Sequence, residues 1–269
     1  MSTVDLTVQR LRHPLKMRLL QVLRTQLVAP HLLSVTFTGD DLHDFVSASF
    51  DDHVKLFFPA PGESQPIFPT FSPEGVRITD SGPRPIARDY TPRRYDPVAR
   101  ELEIQFVLHG DEGPASSWAA QAKPGDLLGI GGPRGSFVIP TGFDWFLMVG
   151  DETALPAIAR RLEESPAGAR VIAVLEVDDD EHSKIAFETK ADTEIIWVRR
   201  NGKPDPLETA VRKLQLPAGE GYVWAAGEGS AMRSIHAHLV GERGLHKSRI
   251  RAATYWKRGA VAFHESHGD

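Results

Sequence analysis

Short runs of alternating apolar and polar residues dominate the chain up to about residue 140. Several such strands at close spacing predict an antiparallel barrel or sandwich, because closure of the sheet removes exposed edges. A Gly–Pro turn at Gly113 instead opens a short predicted helix, and a Pro-rich stretch predicts a long surface loop over residues 59–75. The predicted strands are residues 18–28, 32–39, 53–59, 101–110 and 126–132.

The hydrophobic period changes from about Phe143. Nearly continuous apolar runs alternate from there with helical patterns, and this alternation predicts a parallel sheet covered by helices on both faces. The predicted strands are 144–150, 170–177, 194–200, 221–227 and 249–256, and the predicted helices are 151–165, 207–216 and 230–244. We therefore predict two domains, an antiparallel β-barrel over residues 1–140 and a doubly wound α/β domain over residues 141–269.

Composition adds exclusions to this picture. A length of 269 residues is consistent with about two domains, and the absence of cysteine excludes disulfides, thiolate metal sites and a cysteine nucleophile. The formal charge of −5 argues against a nucleic-acid partner, although it leaves room for a local basic pocket. No apolar run approaches the roughly 20 residues of a membrane span, and the first residues lack a signal-type apolar stretch. We expect a soluble, cytoplasmic protein without a membrane partner, and we favour a monomer.

Two strand–helix turns of the second domain have candidate chemistry. The segments GDETALP, after its first strand, and AAGEGSAMR, after its fourth, place small residues beside helix starts. Free backbone amides and the helix dipole can hold phosphate there. Any α/β domain has such turns, however, and the G-x-G-x-x-G fingerprint is absent. The turns alone leave cofactor binding open.

Two segments of the first domain also suggest ligand binding. RDYTPR, from Arg88 to Arg93, places a tyrosine and a threonine between two arginines, whose forked donors suit a pyrophosphate. HGDEGPAS, from His109 to Ser116, places small residues and a hydroxyl at a helix start. Taken singly, the first segment is better explained as a solvated strand edge, and the second is equally well explained without a ligand.

Together these segments resemble the siderophore-interacting protein family of FAD-dependent ferric-siderophore reductases, within the ferredoxin-reductase-like superfamily. The resemblance covers nearly the whole chain. It comprises the ordered segments HVKLFFP, RDYTPR, HGDEGPAS, GPRGS, GDETALPAI, WAAGEGSAMR and YWKRG.

The resemblance implies FAD in the barrel domain and NADPH or NADH in the α/β domain. Tyr90 would lie against the isoalloxazine, Thr91 near its N5 and the helix start on the phosphate side. The implied FAD residues are Arg88, Tyr90, Thr91, Arg93, His109, Gly113, Pro114, Ala115 and Ser116. The implied nicotinamide-nucleotide residues are Asp151, Glu152, Thr153, Ala226, Gly227, Glu228 and Arg233. The basic residues expected to hold an anionic ferric chelate are Lys55, Arg134, Lys257 and Arg258.

The implied reaction passes electrons from NAD(P)H through FAD to Fe(III) in a siderophore, which releases Fe(II) for iron acquisition. It requires no side-chain nucleophile or general base, and the sequence contains no convincing catalytic triad. The alternatives are a flavin reductase that serves a protein partner, a siderophore-binding protein without turnover, and a structural adaptor. Only the first of these would also bind FAD.

Further residues indicate which nucleotide donates the electrons and whether a metal ion is bound. Glu176 and Asp178 end the second parallel strand and favour NADH, whereas Arg199 and Arg200 end the third and could accept the extra phosphate of NADPH. Many members of the resembled family use NADPH, and we lean towards that donor. The acidic run at residues 178–182 is best explained as a solvated loop, so no protein-bound metal is predicted.

Overall fold

A computed structural model describes residues 5–72, 75–77, 84–108, 113–178, 185–202 and 205–259, with the backbone alone for residues 70–72 and 75–77. The chain divides into two compact units, Val8–Ile139 and Pro140–Asp269 together with Met1–Thr7. This division differs from the predicted domains, 1–140 and 141–269, at the first seven residues and at Pro140. The carbonyl of Leu6 accepts a hydrogen bond of 3.4 Å from the Arg249 guanidinium, a contact that joins this N-terminal segment to the second unit.

The first unit is an antiparallel structure of eleven described strands. Seven of them form one sheet in the order β7-β4-β10-β2-β3-β9-β8, and β1 pairs with β11 and β5 with β6. The strands are β1 Gln9–Arg12, β2 Met17–Ala29, β3 Leu32–Thr38, β4 Val54–Phe58, β5 Thr70–Ser72, β6 Gly75–Arg77, β7 Ile86–Tyr90, β8 Arg94–Asp96, β9 Glu101–Val107, β10 Leu127–Gly131 and β11 Gly135–Val138. The helices are α1 Pro114–Gln121 and a 3-10 turn, Asp40–Asp44. Strands β5 and β6 correct the predicted surface loop over residues 59–75, which contains paired backbone.

The sheet curls because its two edge strands are consecutive in the chain. Only Thr91, Pro92 and Arg93 separate the end of β7 from the start of β8, so the two edges of the sheet lie close together. We call this junction the barrel seam. The interior contains the alternate residues of the strands, including Val54, Leu56, Leu102, Ile104 and Phe106.

Helix α1 closes the barrel core through one aromatic residue. The Trp118 ring lies 6.1 Å from the Phe37 ring, 5.7 Å from Phe58 and 6.0 Å from Phe106, measured between centroids. Ala115 and Ala119 are buried on the same helix. This packing fixes where the helix begins relative to the seam.

The second unit is the predicted doubly wound parallel sheet, with strand order β14-β13-β12-β15-β16. The strands are β12 Trp145–Gly150, β13 Arg170–Val177, β14 Asp192–Arg199, β15 Gly221–Glu228 and β16 Ile250–Trp256. The helices are α2 Leu155–Glu164, α3 Pro206–Lys213 and α4 Gly229–Ala237, with a π-helical turn, His238–Glu242, and a 3-10 turn, Lys247–Arg249. The order of the strands reverses between β12 and β15, which is where open α/β sheets bind ligands. Both turns predicted from the sequence leave the sheet there.

All three predicted helices of this unit were too long, and the helix predicted over residues 207–216 is α3, which ends at Lys213. The helix predicted over residues 151–165 begins at Leu155, because residues 151–154 form a turn stabilised by the Asp151 side chain. The helix predicted over residues 230–244 ends at Ala237 and continues as the π-helical turn. Across the described part of the chain, no helix has the length and apolar character that a membrane crossing requires.

Candidate functional site

The barrel seam brings together four residues predicted to hold a flavin. Arg88 and Tyr90 are on β7, Thr91 follows directly, and Arg93 precedes β8. Thr91 is buried, and the other three side chains are half-buried. The seam therefore offers two arginines, a ring and a hydroxyl within six consecutive residues, at a point where the barrel sheet does not continue.

The Tyr90 ring is held by the barrel core. Its centroid lies 4.6 Å from that of Phe106, with the rings inclined by 42°. Burial raises the pKa of the Tyr90 phenol, so the hydroxyl remains protonated at physiological pH. The same Phe106 ring contacts Trp118 of α1, so the tyrosine and the helix are positioned by one aromatic cluster.

The start of helix α1 is open to an anion. Gly113 precedes the helix and Pro114 is its first residue; among the described residues no side chain caps the helix, and its first turn contains no acidic residue. A Cβ added at Gly113 would meet no atom of the described residues within 4 Å. This arrangement fits a phosphate, which free helical amides and the helix dipole attract. His109, also predicted at this site, lies outside the described residues.

Lys55 lies on β4, and Arg134 follows β10, the neighbouring strand in the barrel sheet. Lys55 on β4 pairs in register with Gly131 on β10, and Arg134 is exposed in the turn that follows β10. The Lys55 ammonium makes an ion pair of 2.7 Å with Asp89, a residue that the sequence reasoning did not single out. Asp89 lies between Arg88 and Tyr90, and alternation along a strand directs its side chain to the opposite face from theirs. This alternation could have identified Asp89 as a neighbour of Lys55. Lys257 and Arg258 are exposed after β16 in the other unit, and their role stays a prediction.

Asp151 joins the ends of three parallel strands. Its Oδ1 accepts hydrogen bonds from the Thr153 amide at 2.9 Å and the Thr153 hydroxyl at 2.5 Å. Its Oδ2 accepts from the Trp256 indole at 2.7 Å and from the Glu228 amide at 3.2 Å. Asp151 is only 4% exposed, so its role at the switch point is to hold the strand ends together by internal hydrogen bonds. Sequence reasoning missed Trp256 as its partner, because the two residues are 105 positions apart.

Gly227 allows this close approach of strand ends. Its φ of +152° is a backbone conformation that side chains rarely adopt, and an added Cβ would lie 2.6 Å from Asp151 Oδ2. The preceding residue, Ala226, is fully buried. The end of β15 at Ala226 and Gly227 is thus shaped by packing against the aspartate.

The side chain of Glu228 caps the start of helix α4. The Glu228 carboxylate accepts hydrogen bonds from the Ser230 amide at 2.7 Å and the Ala231 amide at 3.1 Å. The amide of Arg258 also donates to this carboxylate, at 3.3 Å. An anion at this helix start would compete with Glu228, whereas α2 begins without a side-chain cap or an acidic residue in its first turn. Arg233, on α4, is exposed.

Arg200 forms ion pairs with three carboxylates at the carboxyl ends of the strands. Its guanidinium lies 2.8 Å from Glu152, 2.7 Å from Glu176 and 2.5 Å from Asp178. Burial raises the pKa of Glu152, and the Arg200 charge partly offsets this effect. Arg200, one of the two arginines that suggested NADPH, is therefore paired with the two carboxylates that suggested NADH. Over the described residues, no cluster of three histidine, aspartate or glutamate side chains could hold a metal ion.

An antiparallel sheet followed by a doubly wound parallel sheet is the ferredoxin-reductase-like fold, and this chain has it. Two family models match this chain: the siderophore-interacting FAD-binding domain over residues 21–137 and the siderophore-interacting protein model over residues 143–259. The chain belongs to the siderophore-interacting protein family, as the resemblance predicted.

Similar proteins match along their full length. The chain is 37% identical over 251 residues to an NADPH-dependent ferric-chelate reductase of Escherichia coli, covering 92% of this chain and 96% of the relative. It is 35% identical over 254 residues to a ferric vibriobactin reductase of Vibrio cholerae, covering 92% and 93%. A crystal structure of a siderophore utilization protein from T. fusca matches with a TM-score of 0.86 and 39% identity, covering 96% and 99%.

Proposed function

We propose that this chain is an FAD-dependent NAD(P)H ferric-siderophore reductase of the cytoplasm. It would pass electrons from the nicotinamide nucleotide to Fe(III) in a siderophore and release Fe(II). The observation that carries the proposal is the barrel seam with its aromatic residue, together with helix α1, whose first turn contains no acidic residue. The names of the two relatives, both ferric reductases, support the same activity.

The residues of the first unit fit FAD. Arg88 and Arg93 would bind the pyrophosphate, and the start of α1, from Gly113 to Ser116, would receive phosphate oxygens on its amides. Tyr90 would present a ring to the flat heterocycle, and Thr91 would direct its hydroxyl to N5. When bound, FAD would accept two electrons from NAD(P)H as a hydride and pass them on one at a time. One NAD(P)H would therefore reduce two ferric ions.

The second unit would bind the nicotinamide nucleotide at its switch point. Asp151, Thr153 and Glu228 are engaged in internal hydrogen bonds, so their contribution would be to shape the two turns. Backbone amides of those turns and of the α2 start would contact the phosphates, with Ala226 and Gly227 allowing close approach and Arg233 adding charge. Glu152 would act through its pair with Arg200.

In the first unit, Lys55 and Arg134 would hold the anionic chelate; in the second unit, Lys257 and Arg258 would attract the same anion. Hard oxygen donors bind Fe(III) more tightly than Fe(II), so reduction would weaken the chelate without cleavage of the ligand. Lys55→Ala with Arg134→Ala is expected to raise the KM for an anionic chelate and to leave the flavin bound. Arg24→Ala is a matched control, because Arg24 is exposed on the same barrel and pairs with Glu101. An unchanged KM in the double variant would reject this substrate site.

The central experiment is a visible absorbance spectrum of the purified protein, followed by anaerobic addition of NADPH or NADH. We expect a flavin spectrum that bleaches with the nucleotide and recovers when a ferric chelate is added. Bleaching without recovery would support a reductase that serves a protein partner. A colourless protein that binds chelate would support a siderophore-binding protein, and failure to bind added FAD would reject the flavin site.

NADPH is the proposed donor, because the similar Escherichia coli protein is named as NADPH-dependent. Arg200 does not argue for this choice, since three carboxylates already surround it. Bleaching rates at equal concentrations of NADPH and NADH test the proposal. Faster bleaching by NADH would contradict it.

A further inference from the structure

Lys55 and Asp89 form a cross-strand ion pair on the outer face of the barrel. They lie directly opposite each other on β4 and β7, with Lys55 Nζ 2.7 Å from Asp89 Oδ1. Alternation along β4 directs Val54 and Leu56 into the core and therefore Lys55 outwards. Both members of the pair are 39% exposed, so a ligand in solution can reach them.

On the β10 side of Lys55, none of the described residues in register is a carboxylate. Its partner in register on β10 is Gly131, and a Cβ at Gly131 would lie 2.7 Å from the sulfur of Met17. The surface beside the lysine is therefore formed by backbone and a thioether. Among the described neighbours on β4, β7 and β10, Asp89 is the residue whose charge opposes that of Lys55.

We propose that Asp89 is a specificity-determining residue of the chelate site, a counter-ion that an anionic chelate displaces from Lys55. This inference rests on the proposed role of Lys55 in binding the chelate. An exposed ion pair contributes little free energy, so its exchange for a ligand is cheap, and the Asp89 charge then repels the bound anion. Displacement is favoured only when the incoming ligand has more negative charge to offer than the carboxylate. The pair thereby lowers the affinity for anionic chelates and leaves the affinity for neutral ones unchanged.

The proposal is tested by binding rather than turnover. The probes are the Ga(III) complexes of a tris-catecholate, which is strongly anionic, and of a trihydroxamate, which is neutral. Both Ga(III) complexes have the charge of their ferric counterparts but are not reduced. Dissociation constants are measured by titration calorimetry on the flavin-loaded protein at low salt.

Asp89→Asn is expected to tighten binding of the tris-catecholate by about two- to fivefold and to leave the trihydroxamate unchanged. The matched control is Glu101→Gln, which removes one negative charge from the same barrel at an exposed ion pair with Arg24. It is expected to change neither affinity. Flavin absorbance checks that the substitution beside Tyr90 leaves FAD bound, and Asp89→Ser is the second variant if asparagine disturbs it.

The outcomes separate this proposal from the proposed function. If Lys55→Met fails to weaken tris-catecholate binding, the substrate site itself is misassigned. If Lys55→Met weakens binding but Asp89→Asn leaves it unchanged, only the role of Asp89 is rejected. Weaker binding in Asp89→Asn would also overturn the proposal, because it would mean that the carboxylate positions the lysine for the ligand.

Discussion

At the switch point, two acidic residues have a structural role that their position in the sequence did not indicate. Asp151 and Glu228 stand in turns that suggested contacts with a nucleotide, yet both carboxylates accept hydrogen bonds from the chain itself. Buried acceptors of this kind hold backbone in place, because donors left without a partner are costly. The turns are consequently formed before any ligand binds.

Asp151→Asn is expected to lower the free energy of unfolding by about 1–3 kcal/mol, because an amide group replaces an oxygen that accepts from buried donors. Urea unfolding measures the loss. Asp192→Asn is the matched control: the same substitution in the same unit, at a side chain that is 68% exposed. Equal stability of the two variants would show that the Asp151 network contributes nothing.

Glu152 gives a pH dependence with a defined sign. Burial raises its pKa, so the folded state holds this proton more tightly than the unfolded state does. The corresponding stability is present below the ordinary glutamate pKa and is lost as pH rises through the raised value. Between about pH 4 and pH 7, the stability of the native protein is expected to fall relative to Glu152→Gln, as followed by urea midpoints.

Glu101→Gln should show the opposite trend. The hydrogen bond from Arg24 lowers the pKa of Glu101, so the native protein gains stability relative to this variant as pH rises. The gain is small because the pair is at the surface. Parallel trends in the two variants would contradict the assignment for Glu152.

At the level of elements, the turn between β2 and β3 is held in a strained conformation. Pro30 and His31 form the turn, and His31 has a φ of +62°. Proline followed by a residue with positive φ is the pattern of a type II turn, in which glycine is favoured at the second position. The hairpin tolerates histidine because β2 and β3 pair at seven register positions between Gln21 and Ala29.

His31→Gly is expected to raise the free energy of unfolding by about 0.5–1 kcal/mol, the relief of left-handed strain minus the entropy of a more flexible unfolded chain. Thermal and urea unfolding check this. His53→Gly is the control, since His53 is also exposed but is not among the residues with positive φ. A loss of stability in both variants would show that His31 is unstrained.

For the whole molecule, the net charge and the local charge at the proposed site have opposite effects on the binding of an anionic chelate. The chain has a formal charge of −5, which repels an anionic chelate, whereas the proposed site gathers basic residues. Screening at about 0.1 M salt acts beyond about 10 Å, so salt weakens whichever long-range interaction dominates.

We expect the dissociation constant of the Ga(III) tris-catecholate to rise several-fold as salt increases, because attraction by the local site dominates. The neutral trihydroxamate complex should show no such change. A dissociation constant that falls with salt would mean that the overall negative charge governs the encounter.

The sequence predicted the larger part of the fold from local patterns. Alternation predicted β2, β3, β4, β9 and β10, and apolar runs predicted all five parallel strands. The sequence reasoning missed six strands of three to five residues: β1, β5, β6, β7, β8 and β11. Short edge strands contain too few residues for a period to show, and their pairing is decided by partners distant in the chain.

By itself, the sequence determined the class of each domain, the two strand–helix turns and the motifs that indicated the family. Those properties depend on residues that are close together along the chain. Only the tertiary structure decided which charges are already paired: Lys55 with Asp89, Arg200 with three carboxylates, and Asp151 with Trp256. Such pairs join residues on separate strands, and their formation depends on strand order and register, which no local pattern specifies.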